Sequence, residues 1–456
     1  MATISKALAD ALASSPAQRI IIETDYGADG GIVSELAGMS PVTQRVALPY
    51  FGLSFVSAFG NKSLVEAIAD MPGVRHISLD KDVRILSPFL AFDGPLMKRA
   101  SPLMSRAKNR AGMAQDRVRE LAPPPILPTK KIVGDGVVTT SMVKERLGGY
   151  RAAEAGIDGS GVAVGIIDTG IGVNRQTKVG QVKTFSAKFD EGGDQDRSGH
   201  GTHCLTTVGG SRVDVTPKGY ESRPIIIEGI APGVKLISAR ALFTPLGTGS
   251  NSDVLKAMAL ALEAGADVIS MSLGSDTPGE PEDPDRRLIE AIARNTNTVV
   301  VVAAGNAGLK GPKTVGSPGD TEEALTVGSI SYFDGKRSFY SSYGPTSDGR
   351  QKPDCCGLGG GRTIQNTEPE ENILSSSAGM IDDMDGGFRL AAISGSSMAT
   401  PQVAAIVALW KQYWKNKTGE ALNTEAVKRI IAKHGTTKNN ETGWGLLSYD
   451  WVTLEA

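Results

Sequence analysis

Two unbroken apolar runs constrain this chain most: Val162-Ala163-Val164-Gly165-Ile166-Ile167 and Val299-Val300-Val301-Val302-Ala303-Ala304. A strand with one wet face alternates apolar and polar residues, so a run that is apolar at every position has to be covered on both faces. Val234-Lys235-Leu236-Ile237-Ser238-Ala239 and Val268-Ile269-Ser270-Met271-Ser272-Leu273 are further strand candidates, and 252–264 and 288–295 carry helical spacing. Strands alternating with helices predict an α/β fold with a doubly wound, mostly parallel sheet over residues 137–456. The 55 glycines among 456 residues fit the many tight turns such a fold needs.

That length exceeds one ordinary core. Residues 19–86 read as a small α+β domain. Ile20-Ile21-Ile22-Glu23 and Phe51 to Val56 look like strands, Val74 to Leu79 alternates, and Lys62 to Met71 has helical spacing at Leu64, Val65, Ile68 and Ala69. Residues 1–18 precede it as an extension. Residues 87–136 are proline-rich and basic, which predicts a linker or an activation segment.

A formal net charge of −2 offers no bulk attraction to nucleic acid or to a membrane surface. No apolar run approaches the roughly 20 residues of a membrane span. No signal peptide is visible, so the expectation is an intracellular protein or one exported by another route. Cys204, Cys355 and Cys356 are too few for a disulfide framework.

Four short segments carry chemistry. Ser397, in Gly395-Ser396-Ser397-Met398-Ala399-Thr400-Pro401, precedes a strongly helical run, so backbone N–H groups would gather around it. Ser377, Ser394 and Ser396 are alternatives. A serine needs an adjacent base, and near neutral pH that base is histidine. The chain offers His76, His200, His203 and His434. His200 and His203 open a glycine-rich helix start, whereas His434 reads as a helix C-terminal residue. Asp168 ends the first apolar run, at the strand end where α/β folds place their sites. Asn306, after Gly305, is either an oxyanion donor or a turn residue.

With these residues in view, the region from about Gly148 to Asp450 resembles the subtilases, the subtilisin-like serine endopeptidases. The order Asp, His, Asn, Ser is theirs. The resemblance implies Asp168, His200 and Ser397 as a catalytic triad, Asn306 in the oxyanion hole, and His203 as helix packing. It implies a substrate groove walled by Ser272-Leu273-Gly274 and by Leu246 to Ser250 with Gly247. Ala303-Ala304-Gly305 would line the pocket for the residue before the cut (P1). Gly316 would leave that pocket open to a large apolar side chain. The Gly443-Trp444-Gly445 turn resembles the family's last one, so no further C-terminal domain is expected. Residues 20–86 resemble the subtilase propeptide, which implies a self-processing zymogen inhibited by its own N-terminal domain. Protein or peptide substrates are the expected partners.

No cofactor is expected for the chemistry, and structural Ca2+ is possible at the oxygen-rich loop with Asp190, Asp194 and Asp196. The second acidic loop, Asp276 to Asp285, could favour basic substrate side chains. His200, His203 and Cys204 offer a competing metalloenzyme reading. His76 is expected as a partly exposed strand histidine, with a pH trigger as the alternative.

Overall fold

Alternate residues of each apolar run face opposite cores. Val164, Ile166, Val268, Val299 and Val301 pack into one, with Cys204, Leu205, Val208 and the buried residues of helix Ser396–Thr418. Ala163, Ile167, Ile269, Met271, Val300 and Val302 pack into the other, with helices Asn251–Glu263 and Pro284–Asn295. The runs have no polar period because each strand has no wet face. At about 1.5–3 kcal/mol for each fully buried aliphatic side chain, these two layers are the main stabilising term.

The computed structural model describes residues 2–36, 42–85, 138–172, 175–177, 182–188, 193–215, 225–244, 246–361, 371–378 and 390–455. The basic, proline-rich stretch 87–136 lies outside them. The central sheet has seven strands in the order Cys355–Leu358, Leu325–Ile330, Val299–Ala303, Val268–Met271, Ala163–Asp168, Lys235–Arg240 and Val182–Ser186. Every pairing in it is parallel. From Ala163–Asp168 the chain crosses to the edge strand Val182–Ser186 and returns to Lys235–Arg240, which lies between the two. It then restarts on the other side at Val268–Met271. The reversal leaves a crevice between the carboxyl ends of Ala163–Asp168 and Val268–Met271, the place where open α/β sheets bind ligands.

The N-terminal unit is a five-stranded sheet, ordered Thr3–Ile4, Val74–Leu79, Gln18–Asp25, Leu53–Gly60 and Val42–Leu48. Residues 2–18, which fall in the stretch read from sequence as a separate extension, are built into it. Thr3–Ile4 pairs with His76 and Ile77, and Leu8 of helix Lys6–Ser14 is fully buried in the unit's core. The period-2 pattern sorts the faces again. Ile20 and Ile22 point into the unit's own core with Val56, Val65, Ile68 and Ile77. Ile21, Val46 and Phe55 join the core of the larger domain.

His76 is buried, not partly exposed as its sequence suggests. Its Nδ1 lies 2.7 Å from Thr3 Oγ1. Burial, helped by Arg287 of the larger domain, holds its pKa below the ordinary histidine value.

Candidate active site

Asp168 is the last residue of its strand and His200 the first of helix His200–Gly209. Asp168 Oδ1 lies 2.7 Å from His200 Nδ1 and accepts the Thr169 backbone N–H at 2.7 Å. Burial by itself disfavours an imidazolium, but the adjacent Asp168 carboxylate together with Cys204 outweighs it and raises His200 well above the usual histidine range. The pairing fixes the tautomer with Nδ1 as donor, so Nε2 is the basic nitrogen. His200 Nε2 has no hydrogen-bond partner among the described residues.

One side chain holds this pair in register. Gly199, the residue before the helix, has no side chain with which to cap it. Asp196 does so instead. Its Oδ2 accepts Thr202 N–H at 2.8 Å and Thr202 Oγ1 at 2.7 Å. Its Oδ1 accepts the N–H groups of Ser198 and Gly199 at 2.9 and 2.8 Å, and Thr169 Oγ1 at 2.9 Å. Thr169 Oγ1 in turn accepts the Gly201 N–H at 2.8 Å. The residue after Asp168 and the helix turn bearing His200 are therefore tied through one carboxylate. Gly201 lets the two come close, since a Cβ there would lie 2.4 Å from the Gly170 carbonyl oxygen.

Asp196, expected as a possible Ca2+ ligand, has both oxygens engaged by protein donors. The Asp194 carbonyl accepts Ile171 N–H, and Asp190 lies outside the described residues. The set His200, His203 and Cys204 of the metalloenzyme reading is not brought together. Asp168, His200 and Cys204 bring ligand atoms within 4.8 Å of one another, but His203 is not among them. His203 Nε2 is 2.9 Å from the Ile373 carbonyl, and burial lowers its pKa to about 4. Burial also keeps the Cys204 thiol protonated by raising its pKa.

Ser397 is the second residue of helix Ser396–Thr418. Pro401, four residues on, has no N–H to give back to the Ser397 carbonyl. That carbonyl instead accepts Ser272 Oγ at 2.9 Å and Cys204 Sγ at 3.5 Å. Ser397 Oγ donates to the Ser272 carbonyl at 3.1 Å. Asn306 is buried, and its Oδ1 accepts the Ser396 N–H at 3.0 Å, which orients the amide. Of the alternatives, Ser377 Oγ bonds backbone carbonyls, His434 lies 2.5 Å from Glu455, and His76 belongs to the N-terminal unit. The clamping role of Asp196 and the parts played by Pro401 and the Ser272 hydroxyl were not foreseen from sequence. The one signal was an aspartate four residues before a histidine whose preceding glycine cannot cap.

The predicted groove segments also come together. Ser275 N–H donates to the Ser317 carbonyl at 2.9 Å, and Gly316 N–H to the Ala304 carbonyl at 3.2 Å. Gly316 is also required for a backbone reason. A Cβ there would lie 1.9 Å from the Ser275 carbonyl oxygen, so its missing side chain serves close backbone approach. Between the walls Thr248–Ser250 and Leu273–Gly274 runs the strand Asp82–Ile85 of the N-terminal unit, antiparallel to both. Ile85 N–H also donates to the Gly247 carbonyl at 2.8 Å.

Charges cross the same boundary. Asp80 accepts Ser252 N–H at 3.1 Å and Ser252 Oγ at 2.8 Å, at the start of helix Asn251–Glu263. Lys81 Nζ lies 2.8 and 2.7 Å from the two Asp283 oxygens, and Glu23 pairs with Arg287 at 2.9 Å. Burial and the neighbouring Asp283 push Asp285 up to about 7. The second acidic loop thus faces basic side chains of the N-terminal unit.

An Asp–His pair and a helix-borne serine at the switch point of a parallel sheet is the arrangement of the subtilisin-like serine peptidases. Residues 159–445 match the subtilase family, and the chain belongs to it. It is 32% identical over 305 residues to serine protease AprX of Bacillus subtilis, covering 62% of either chain. It is 30% identical over 288 residues to pyrolysin of Pyrococcus furiosus, covering 53% of this chain and 19% of that one. A thermostable alkaline protease of Halalkalibacterium halodurans is 28% identical over 280 residues, 60% of this chain and 65% of that one. The chain thus spans less than two thirds of each of these relatives. Among the described residues no helix is long and apolar enough to cross a membrane.

Proposed function

We propose that the protein is a serine endopeptidase made as a self-processing zymogen. The observation that carries the reading is the buried Asp168–His200 pair at the sheet's switch point, linked through Cys204 to the Ser397 backbone. Ser397 Oγ attacks the peptide carbonyl carbon while His200 Nε2 takes its proton. Asp168 holds the tautomer and stabilises the imidazolium. The Asn306 amide nitrogen and the Ser397 N–H donate to the oxyanion. His200 then protonates the leaving amine, and water hydrolyses the acyl-enzyme by the same steps in reverse. No step calls on a cofactor. A large apolar side chain before the cut, between the walls 272–274 and 303–305, is the preferred substrate feature.

The N-terminal unit is proposed as the inhibitor. Its strand Asp82–Ile85 completes a three-stranded antiparallel sheet with both groove walls, the way an extended substrate adds to an edge. Ile85 is opposite Leu273, so the antiparallel register carried one residue further reaches Ser272, to which Ser397 Oγ bonds. That register favours Leu86–Ser87 as the bond first processed, although Leu86 itself lies outside the described residues.

A serine-directed phosphonate reagent tests the chemistry. Labelling of processed protein at Ser397, unaffected by a chelator, is expected; folded, processed protein that takes no label refutes it. N-terminal sequencing of the active species tests the junction, with Ser87 as the expected first residue.

A further inference from the structure

Resting on that reading, we infer that the groove selects a basic side chain at the position Arg84 occupies, through Asp276. Backbone pairing of the strand Asp82–Ile85 with the two walls is blind to side chains, so selectivity has to come from what each position meets. The strand alternates. Val83 and Ile85 are buried in the apolar core beside Leu242 and Leu273, whereas Asp82 is exposed and Arg84 half-buried.

Arg84 stands opposite Gly274 on one wall and Thr248 on the other. In an antiparallel pair, the residue two further along the partner chain is the diagonal neighbour on the same face, within reach of a long side chain. On the Gly274 wall that neighbour is Asp276. Gly274 puts no side chain in the way, and the Arg84 guanidinium forms an ion pair and hydrogen bond with the Asp276 carboxylate.

The pair belongs to the groove, not to the docking face. Asp276 lies two residues past the wall strand Leu273–Gly274, and its partner comes from the strand lying where a substrate would. A substrate in the same register would present a side chain to the same carboxylate. The preferred sequence is therefore apolar, basic, apolar, then the residue before the cut. Both groups are partly solvated, with side chains 41% and 17% exposed. Partly exposed ion pairs are worth about 0.2–1 kcal/mol, which corresponds to roughly 1.5- to 5-fold in specificity.

The test is a cleavage-site profile of the processed enzyme on a denatured protein mixture. Arg and Lys should be enriched about 1.5- to 5-fold at the third residue before the cut. The enrichment should vanish in Asp276→Asn and turn toward Asp and Glu in Asp276→Lys. Abundant cuts without that enrichment, or enrichment unchanged in Asp276→Asn, overturn the inference while leaving the peptidase reading standing. A processed wild-type enzyme that cuts nothing overturns the peptidase reading, and this inference with it.

Discussion

The seven-stranded sheet and the N-terminal sheet each bury an apolar face against helices of the larger domain, yet their boundaries differ. Between the large sheet and its helices the contacts are dominated by aliphatic side chains from both layers. Between the N-terminal unit and the larger domain, Ile21, Val46 and Phe55 are interleaved with Glu23–Arg287, Lys81–Asp283 and Asp80–Ser252. Aliphatic layers have no favourable separated state in water. Charged groups recover hydration when they part, so a boundary rich in them resembles a transient interface. The large sheet is thus suited to holding the three proposed catalytic groups fixed, and the N-terminal boundary to being undone.

The largest test of that contrast is on the fixed side. Ser397→Ala should lower turnover by roughly six orders of magnitude and leave the full-length chain uncleaved, with the N-terminal unit still docked. Normal processing of this variant, read on a denaturing gel, would break the zymogen half of the comparison. Asp168→Asn should cost on the order of 10⁴ in kcat, because the wrong tautomer is held.

The same pair sets the pH profile. His200 must be neutral to act, and its pKa is raised by Asp168. Activity should therefore climb with pH through a value above the ordinary histidine range near 6.5, and that limb should move down in Asp168→Asn. An acid limb at 6.5 or lower in the native enzyme would contradict the pairing.

Asn306→Ala should lower kcat by roughly 10²- to 10³-fold with little change in KM. Asp196→Ala touches no substrate but frees the helix start from the strand end. It should lower kcat by up to about 10²-fold, with partial rescue in Asp196→Asn, which keeps an acceptor oxygen. A fall in thermal stability with unchanged kcat would make the clamp merely structural.

On the separable side the effects are smaller and should fall on docking. Lys81→Met leaves the Asp283 carboxylate unpaired. Truncating one partner of such a pair costs about 2 kcal/mol at the low end, or roughly 30-fold weaker inhibition by the separately added N-terminal unit. Equal inhibition by both forms would mean that the apolar contacts alone hold the unit.

The smallest expected effect comes from His76, which faces Thr3, Glu23 across the strand pairing, and Arg287, Glu282 and Asp283 from the larger domain. Its docked pKa is lowered, so the released unit binds the proton more readily. Docking should weaken as pH falls below about 6.5, by no more than tenfold per pH unit, and His76→Gln should flatten that slope. Glu23, raised by burial, acts in the opposite sense at lower pH.

The sequence was most legible where a local pattern has one physical meaning. Apolar runs without a polar period meant a sheet covered on both faces, and the order of Asp168, His200, Asn306 and Ser397 pointed to a serine peptidase site. It was least legible where a residue's work depends on a distant partner. Asp196 looked like a metal ligand because acidic residues cluster around it. Only the fold shows Thr169 and the start of the His200 helix converging on its two oxygens. At Gly316 the close backbone approach comes from Ser275, 41 residues away in the chain.

Local composition by itself determined which segments are strands, which face of each is apolar, and which side chains can do acid, base and nucleophile chemistry, because those properties belong to single residues and their immediate spacing. Tertiary structure alone decided that Asp196 ties the start of the His200 helix to the residue after Asp168. It also decided that Pro401 leaves a carbonyl for Ser272, and that Asp82–Ile85 lies between the groove walls with Arg84 against Asp276. Hydrogen bonds and ion pairs act over a few ångströms, and the residues that make these contacts are separated by up to about 190 positions in the chain.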